Sequence, residues 1–148
     1  MRMDIIPVSI ALAQAANESG WGTSRFALEG NALFGQWTWS KKGISPKNKD
    51  PNKSHKILQF QILKASVRAY KNNLNTHRAY QEFREARARL KQENKQVTGL
   101  DLTKYLKRYA SIGEKYVEIL EAIIKNNSLT DFDKSNLLPI KLKQGITL

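Results

Sequence analysis

The sequence predicts a mainly helical α+β domain with one small β-lobe set among the helices. Three observations carry that reading. Segments with helical apolar spacing lie at both ends of the chain, at 4–19 and from 64 onward. Between them, residues 31–62 lose the helical period and gather Gly35, Gly43, Pro46 and Pro51 with strand-forming Trp37, Thr38 and Trp39. The chain has 148 residues, 41% of them hydrophobic, and no cysteine, so it can bury one core without disulfides. That length fits one domain, placed at 1–126 with the β-insert at about 31–62.

Each element follows from local signals. Asp4 and Pro7 suit a helix start, and Val8, Ala11, Leu12, Ala15 and Ser19 recur at helical spacing as a small-residue packing face. Gly20 and Gly22 stop this helix. Thr23 or Ser24 opens a short helix through Glu29, closed by Gly30. The run from His55 to Ile62 reads as a strand, and the Lys-rich stretch from Lys41 to Lys53 as a long loop, giving two or three strands. Helices follow at 64–75 (Val67, Tyr70, Leu74), 78–94 (Tyr80, Phe83, Leu90) and 99–109 (Leu102, Tyr105, Leu106, Tyr109). Ser111-Ile112-Gly113-Glu114 has the capping-box pattern for a last helix with Tyr116, Ile119, Leu120, Ile123 and Ile124 inward. Residues 127–148 show no period and read as an extended or loose tail.

The charge is +12, from 25 Lys and Arg against 13 Asp and Glu. Such an excess draws a protein to polyanions, be they nucleic acid, anionic wall polymers or a membrane surface, and does not choose among them. The basic residues are scattered. Residues 84–91 would be the best recognition helix, but neither helix-turn-helix spacing nor a single-strand aromatic platform accompanies them, so no specific nucleic acid is expected. No run of about 18 apolar residues and no signal-peptide pattern is visible. His55 and His77 lack the carboxylate neighbours of a metal site, and no phosphate-binding glycine loop occurs. No metal and no cofactor is expected.

The chemistry points to Ala15-Ala16-Asn17-Glu18-Ser19-Gly20-Trp21-Gly22. Glu18 falls in the last turn of a mostly apolar helix, where the negative end of the helix dipole and apolar neighbours such as Trp21 raise a carboxyl pKa. A carboxylic acid still protonated near neutrality suits general-acid cleavage of a glycosidic bond. By itself, a Glu before a glycine-rich turn is more often an ordinary exposed carboxylate.

The run Ala11–Ala27, with Gly30-Asn31-Ala32-Leu33-Phe34-Gly35-Gln36-Trp37-Thr38-Trp39 after it, resembles the peptidoglycan N-acetylglucosaminidases of glycoside hydrolase family 73, and within them the Bax-type bacterial branch. Ser66-Val67-Arg68-Ala69-Tyr70, Asn73-Leu74-Asn75-Thr76-His77 and Arg108-Tyr109-Ala110-Ser111-Ile112-Gly113-Glu114-Lys115-Tyr116 fit the same branch, so the likeness spans roughly residues 5–126. It implies a lysozyme-like fold with a groove between a helical part and the β-lobe. It also implies a monomeric peptidoglycan hydrolase cutting after N-acetylglucosamine and before N-acetylmuramic acid. The setting would be the periplasm or cell envelope, with any export signal upstream of this chain.

On that resemblance Glu18 matches the catalytic acid and Tyr109 the tyrosine used close to the catalytic centre. The family often carries a second acidic residue in the β-lobe; here the single acid between Asn31 and Phe60 is Asp50, a weak candidate in a loop-like context. Three routes therefore stay open. Asp50 could activate water, the substrate's N-acetyl group could assist, or Glu18 could act alone to leave a 1,6-anhydro product. A muramidase on the same polymer and an inactive glycan-binding module are further alternatives. Asn17, Ser19, Trp21, Asn31, Phe34, Gly35, Trp37 and Trp39 are candidates for lining the groove, the tryptophans by stacking on sugar rings. Tyr70 and Tyr116 are weaker ones, with core packing the competing role.

Overall fold

The computed structural model describes residues 3–38, 43–44 and 56–136. Among the described residues there are six α-helices: α1 (Val8–Ser19), α2 (Arg25–Gly30), α3 (Leu63–Thr76), α4 (Gln81–Gln92), α5 (Gly99–Leu102) and α6 (Glu114–Asn126). Three short strands, β1 (Trp37–Thr38), β2 (Gly43–Ile44) and β3 (Lys56–Leu58), lie between α2 and α3. The fold is mainly helical with a small sheet, the lysozyme-like α+β architecture expected.

Helix α1 runs through the centre and packs on α5, α6 and a 3-10 turn at Leu129–Lys134. Its buried residues are Ser9, Ile10, Ala13, Gln14 and Ser19. The expected packing face is right only in part: Ser19 is buried and Ala11 and Ala15 pack against the core, but Val8 and Leu12 are exposed. A buried glutamine conceals the true stripe from a reading of apolar spacing, because Gln14 sits where an apolar residue would mark it.

The cap of α1 also comes from elsewhere. Asp4 does not cap it; its carboxylate accepts from the Ile5 N–H at 2.7 Å and pairs with Lys91 at 2.6 Å. The cap is Asp133, whose carboxylate accepts from the Ser9 N–H (2.8 Å), the Ser9 hydroxyl (2.7 Å) and the Gly99 N–H (2.9 Å). One carboxylate thus satisfies the starts of two helices, α1 and α5. A Cβ at Gly99 would collide with Ser9 Oγ, so only glycine lets α5 approach α1 this closely. The stretch after α6, read as loose, is therefore structural as far as the 3-10 turn. Its signal, one aspartate in a short turn, has no periodicity.

Helix α2 begins at Ser24, whose hydroxyl accepts from the Ala27 N–H at 3.2 Å. It closes at Asn31 in the left-handed region (φ 49°), one residue beyond the expected Gly30. The sheet order is β1-β3-β2, with both neighbours antiparallel to β3. Trp37 faces Ile57, and Gly43 faces Leu58. The Lys-rich stretch read as loop thus contributes β2. The strand expected over His55–Ile62 is shorter, because the chain beyond Leu58 ties back to the helical part: the Phe60 N–H donates to Gly30 O at 2.9 Å.

On α3, Ser66, Tyr70, Leu74 and Asn75 are buried and Val67 is exposed. The helix expected over 78–94 is a 3-10 turn, Arg78–Tyr80, followed by α4. His77 opens that turn by accepting from the Ala79 N–H at 3.2 Å. The basic residues of α4 are largely occupied by the fold. Arg87 is 1% exposed, donating to Ile5 O (2.7 Å) and Asn75 Oδ1 (2.8 Å), and Arg84 donates to Leu74 O (3.1 Å) and His77 O (2.8 Å).

The helix expected over 99–109 is also divided. α5 leads into a 3-10 helix at Thr103–Leu106, and Tyr109 lies beyond it in a turn that runs to Gly113. The capping box is at Thr98 and Asp101 rather than at Ser111 and Glu114. α6 instead starts from Gly113 at φ 56°, and that left-handed reversal carries Ser111 out of capping position. α6 buries Tyr116, Val117, Leu120 and Ile124 against a core that includes Ile10, Leu74, Phe83 and Leu102. Among the described residues, no helix is long and apolar enough to cross a membrane.

Candidate active site

A cleft of about 560 Å³ opens beside the C-terminal end of α1, with Glu18, Phe34, Gly35, Gln36, Tyr80, Arg108 and Tyr109 among its lining residues. Four segments far apart in sequence build it: the end of α1, the approach to β1, the end of α3 with the Arg78–Tyr80 turn, and the turn before α6. The Tyr109 hydroxyl joins two of them by donating to Phe34 O at 3.0 Å.

Glu18 is held asymmetrically. Its Oε1 accepts from the Tyr116 hydroxyl at 2.8 Å and from the Asn17 amide at 3.2 Å. Its Oε2 has no hydrogen-bond partner among the described residues and faces Gly35, where an added Cβ would stand 3.1 Å from it. Gly35 has φ 57°, so a residue with a side chain would be strained there as well as crowding the carboxylate. With Oε1 occupied by two donors, a proton on this carboxyl group belongs on Oε2, the oxygen left without a donor.

A buried chain of side chains supports Tyr116. The Gln14 amide donates to the Tyr116 hydroxyl at 2.8 Å, and the Tyr70 hydroxyl donates to Gln14 Oε1 at 2.7 Å. Because Gln14 spends an N–H on the tyrosine oxygen, the Tyr116 hydroxyl has its own proton free for Glu18. Tyr109 stacks on Tyr116 with rings 2° from parallel and centroids 5.6 Å apart, and Tyr80 lies at 6.1 Å from Tyr109.

These rings set the electrostatics. Burial raises the Glu18 carboxyl above its ordinary range, and the donors Tyr116 and Asn17 oppose that without cancelling it. Burial also pushes up Tyr116, Tyr109 and Tyr80, each further raised by the charge on Glu18. Four acidic groups therefore share one desolvated corner, and Glu18 titrates first. The source of desolvation differs from the sequence reading. Trp21 is 65% exposed and takes no part in the cleft wall; the tyrosines do what was assigned to it.

The structure brings Glu18, Phe34, Gly35 and Tyr109 together on the cleft wall. Asn17 meets the site through its bond to Glu18. Tyr70 and Tyr116 do not line the cleft: both are buried behind it, 1% exposed, and they act on Glu18 from within. Ser19 is buried too, its hydroxyl donating to Ala15 O (2.5 Å) and accepting from the Gly22 N–H (2.7 Å), which folds the turn after α1. Asn31 joins the lobes, donating to Phe60 O at 3.0 Å. Trp37 lies in β1. Trp39 and Asp50 lie outside the described residues.

Sequence reasoning missed Gln14, Gln36, Asn73, Tyr80, Arg108 and Ser111. Gln14 alone carried a signal, as a polar residue flanked by alanines inside an apolar helix. Gln36 Oε1 is buried on the cleft wall with no hydrogen-bond partner among the described residues.

Comparison with known proteins gives a family for the chain. A family model, Glucosaminidase, described as mannosyl-glycoprotein endo-beta-N-acetylglucosaminidase, matches residues 1–129. The chain is 40% identical over 126 residues to Protein bax of Escherichia coli (strain K12), an alignment covering 85% of this chain and 44% of the relative. The chain thus spans under half the length of that relative. No solved structure matches.

Proposed function

The chain belongs to the glucosaminidase family, and from that premise we propose that it hydrolyses the glycan of bacterial peptidoglycan. The bond cut is the one between N-acetylglucosamine and N-acetylmuramic acid, and Glu18 is the proton donor. The observation that carries this reading is the two-sided environment of Glu18, with one oxygen held by two donors and the other open to the cleft beside Gly35.

In the reaction, Oε2–H donates to O4 of the departing N-acetylmuramic acid as the bond from that oxygen to C1 of N-acetylglucosamine breaks. The carboxylate left behind is met at once by the Tyr116 hydroxyl and the Asn17 amide on Oε1. Hydrogen bonds strengthen when the acceptor becomes charged, so these donors stabilise the transition state more than the ground state. The Tyr109 proton is committed to Phe34 O, which leaves its oxygen free to orient, as a hydrogen-bond acceptor, the water that attacks C1; as the new C1–OH forms, that water releases its second proton to solvent, from which Glu18 is reprotonated. This places the enzyme's work at the cell envelope, where its substrate is.

Replacing Glu18 by Gln tests the assignment. Soluble glycan fragments released from purified peptidoglycan should vanish while the protein still co-sediments with the polymer. Continued release by a folded Glu18→Gln protein would remove Glu18 from the mechanism, and no release by the unmodified chain would leave a glycan-binding module.

A further inference from the structure

A second cavity, of about 690 Å³, adjoins the catalytic cleft and shares Arg108 with it. The two are lined by adjacent residues on both walls: Ala79 beside Tyr80, and Lys107 and Arg108 beside Tyr109. The cavity is thus contiguous with the cleft, bounded by the Arg78–Tyr80 turn and α4 on one side and the Thr103–Leu106 helix on the other.

Its lining is unlike the cleft's. Arg78, Lys104, Lys107 and Arg108 bring four exposed cations to it, of which Lys107 is paired with Glu114, and Glu82 and Glu85 bring two carboxylates. The side chains of Arg78 and Arg108 make no hydrogen bond or ion pair among the described residues, although two carboxylates line the same hollow. The Lys104 ammonium lies 5.3 Å from the Tyr105 ring centroid, not on a carboxylate. The basic residues of α4 that serve the fold, Arg84 and Arg87, do not line this cavity, and each makes two hydrogen bonds within the fold. Open guanidinium groups in a concave site select carboxylates, which they bind in a two-pronged geometry.

Resting on the glucosaminidase reading, we propose that this cavity binds the peptide stem carried by the muramic acid next to the scissile bond. That stem hangs from the sugar next to the scissile bond, and the cavity adjoins the cleft proposed to hold that bond. The stem's free carboxylates fit Arg78, Lys104 and Arg108. The ammonium of a diamino residue fits Glu82 and Glu85, and its alanine methyls fit the face of Tyr105. The cleft then reads the sugar, and the side cavity reads the substituent that distinguishes peptidoglycan from a plain N-acetylglucosamine polymer.

The test compares stem-bearing glycan with the same strands stripped of peptide by an amidase, which retain the lactyl carboxylate, and with neutral N-acetylglucosamine oligomers. Both cleavage and binding are read for the unmodified chain and for the double variant Arg78→Ala, Lys104→Ala, whose residues lie outside the catalytic cleft. The expected result is a preference for stem-bearing glycan that falls about fivefold in the double variant, the scale of two partly exposed charge pairs, with stripped strands unaffected. Equal cleavage of stem-bearing and stripped strands, or a preference the variant keeps, overturns the proposal and leaves the hydrolase reading intact. The same fivefold loss on stripped strands reassigns the site to the lactyl carboxylate and so also overturns it. Stem-dependent binding that the variant loses, without cleavage of any strand, upholds the cavity and removes the hydrolase reading.

Discussion

Replacing Tyr116 by Phe removes one oxygen and leaves the ring in place against Tyr109. Two hydrogen bonds go with it, the one donated to Glu18 and the one accepted from Gln14, each 2.8 Å. The catalytic effect depends on how the first changes during the reaction. A hydrogen bond to a neutral acceptor contributes about 1 kcal/mol and one to a charged acceptor about 1.5–3 kcal/mol. As Glu18 gives up its proton, the Tyr116 bond passes from the first kind to the second. The difference, about 1–1.5 kcal/mol, is stabilisation present only in the transition state, and its loss lowers the rate about tenfold.

Because Tyr116 is buried behind the cleft wall, substrate binding should be unaffected. The steady-state signature is thus a fall in kcat with KM unchanged. A second signature is in the pH profile. Tyr116 lowers the Glu18 pKa, so without it the carboxyl keeps its proton to higher pH and the alkaline limb of kcat moves upward. The variant is also less stable, by about 1–3 kcal/mol, because the Gln14 amide loses its buried partner. Kinetics on soluble glycan fragments between pH 4 and 9, with urea denaturation alongside, measure all three. A KM increase at constant kcat, or an alkaline limb that stays or moves down, would refute this account of Tyr116.

Glu18→Gln should stabilise the protein at neutral pH. The folded-state pKa of Glu18 is raised, so the folded protein holds the proton where the unfolded chain has released it. Stability falls as pH rises from the ordinary carboxyl range through the raised value, and the Gln variant escapes that loss; urea midpoints should diverge at pH 7 and agree near pH 3. Gly35→Ala forces a side chain into a left-handed position beside Glu18 Oε2, lowering stability by about 1–2 kcal/mol and activity beyond what that loss explains. Arg87→Met leaves Ile5 O and Asn75 Oδ1 without their buried donor and should lower stability by about 3–5 kcal/mol, seen as a Tm drop of about 10 °C by calorimetry. Asp133→Ala removes the shared cap of α1 and α5 and should lower stability by about 2 kcal/mol, with faster amide exchange at Ser9 and Gly99.

What the sequence disclosed was what local chemistry encodes. The end of α1 at Gly20, the start of α2 at Ser24 and the loss of helical period at the β-lobe all follow from backbone preferences of nearby residues. Glu18 was legible because a helix end and a glycine turn are local features. The network behind it was not. Gln14, Tyr70 and Tyr116 come from three helices, and their polar atoms meet only after packing, so apolar spacing could turn the two tyrosines inward, where they are, but could not show the hydrogen bonds that join them through Gln14. The same limit hid Asp133, a cap 124 residues away in sequence from the helix it serves. Division of the expected helices at Tyr80 and Leu106 escaped notice because 3-10 and α turns place apolar residues at nearly the same spacing.

The central claim, that Glu18 protonates the oxygen joining N-acetylglucosamine to N-acetylmuramic acid, is tested most directly by the chemistry of the cut ends. Purified peptidoglycan is digested with the protein, the products are reduced with borohydride, and their ends are identified by mass spectrometry. The account predicts fragments ending in reduced N-acetylglucosamine. Fragments ending in reduced or 1,6-anhydro N-acetylmuramic acid would contradict it, since the other glycosidic bond would then be the one broken.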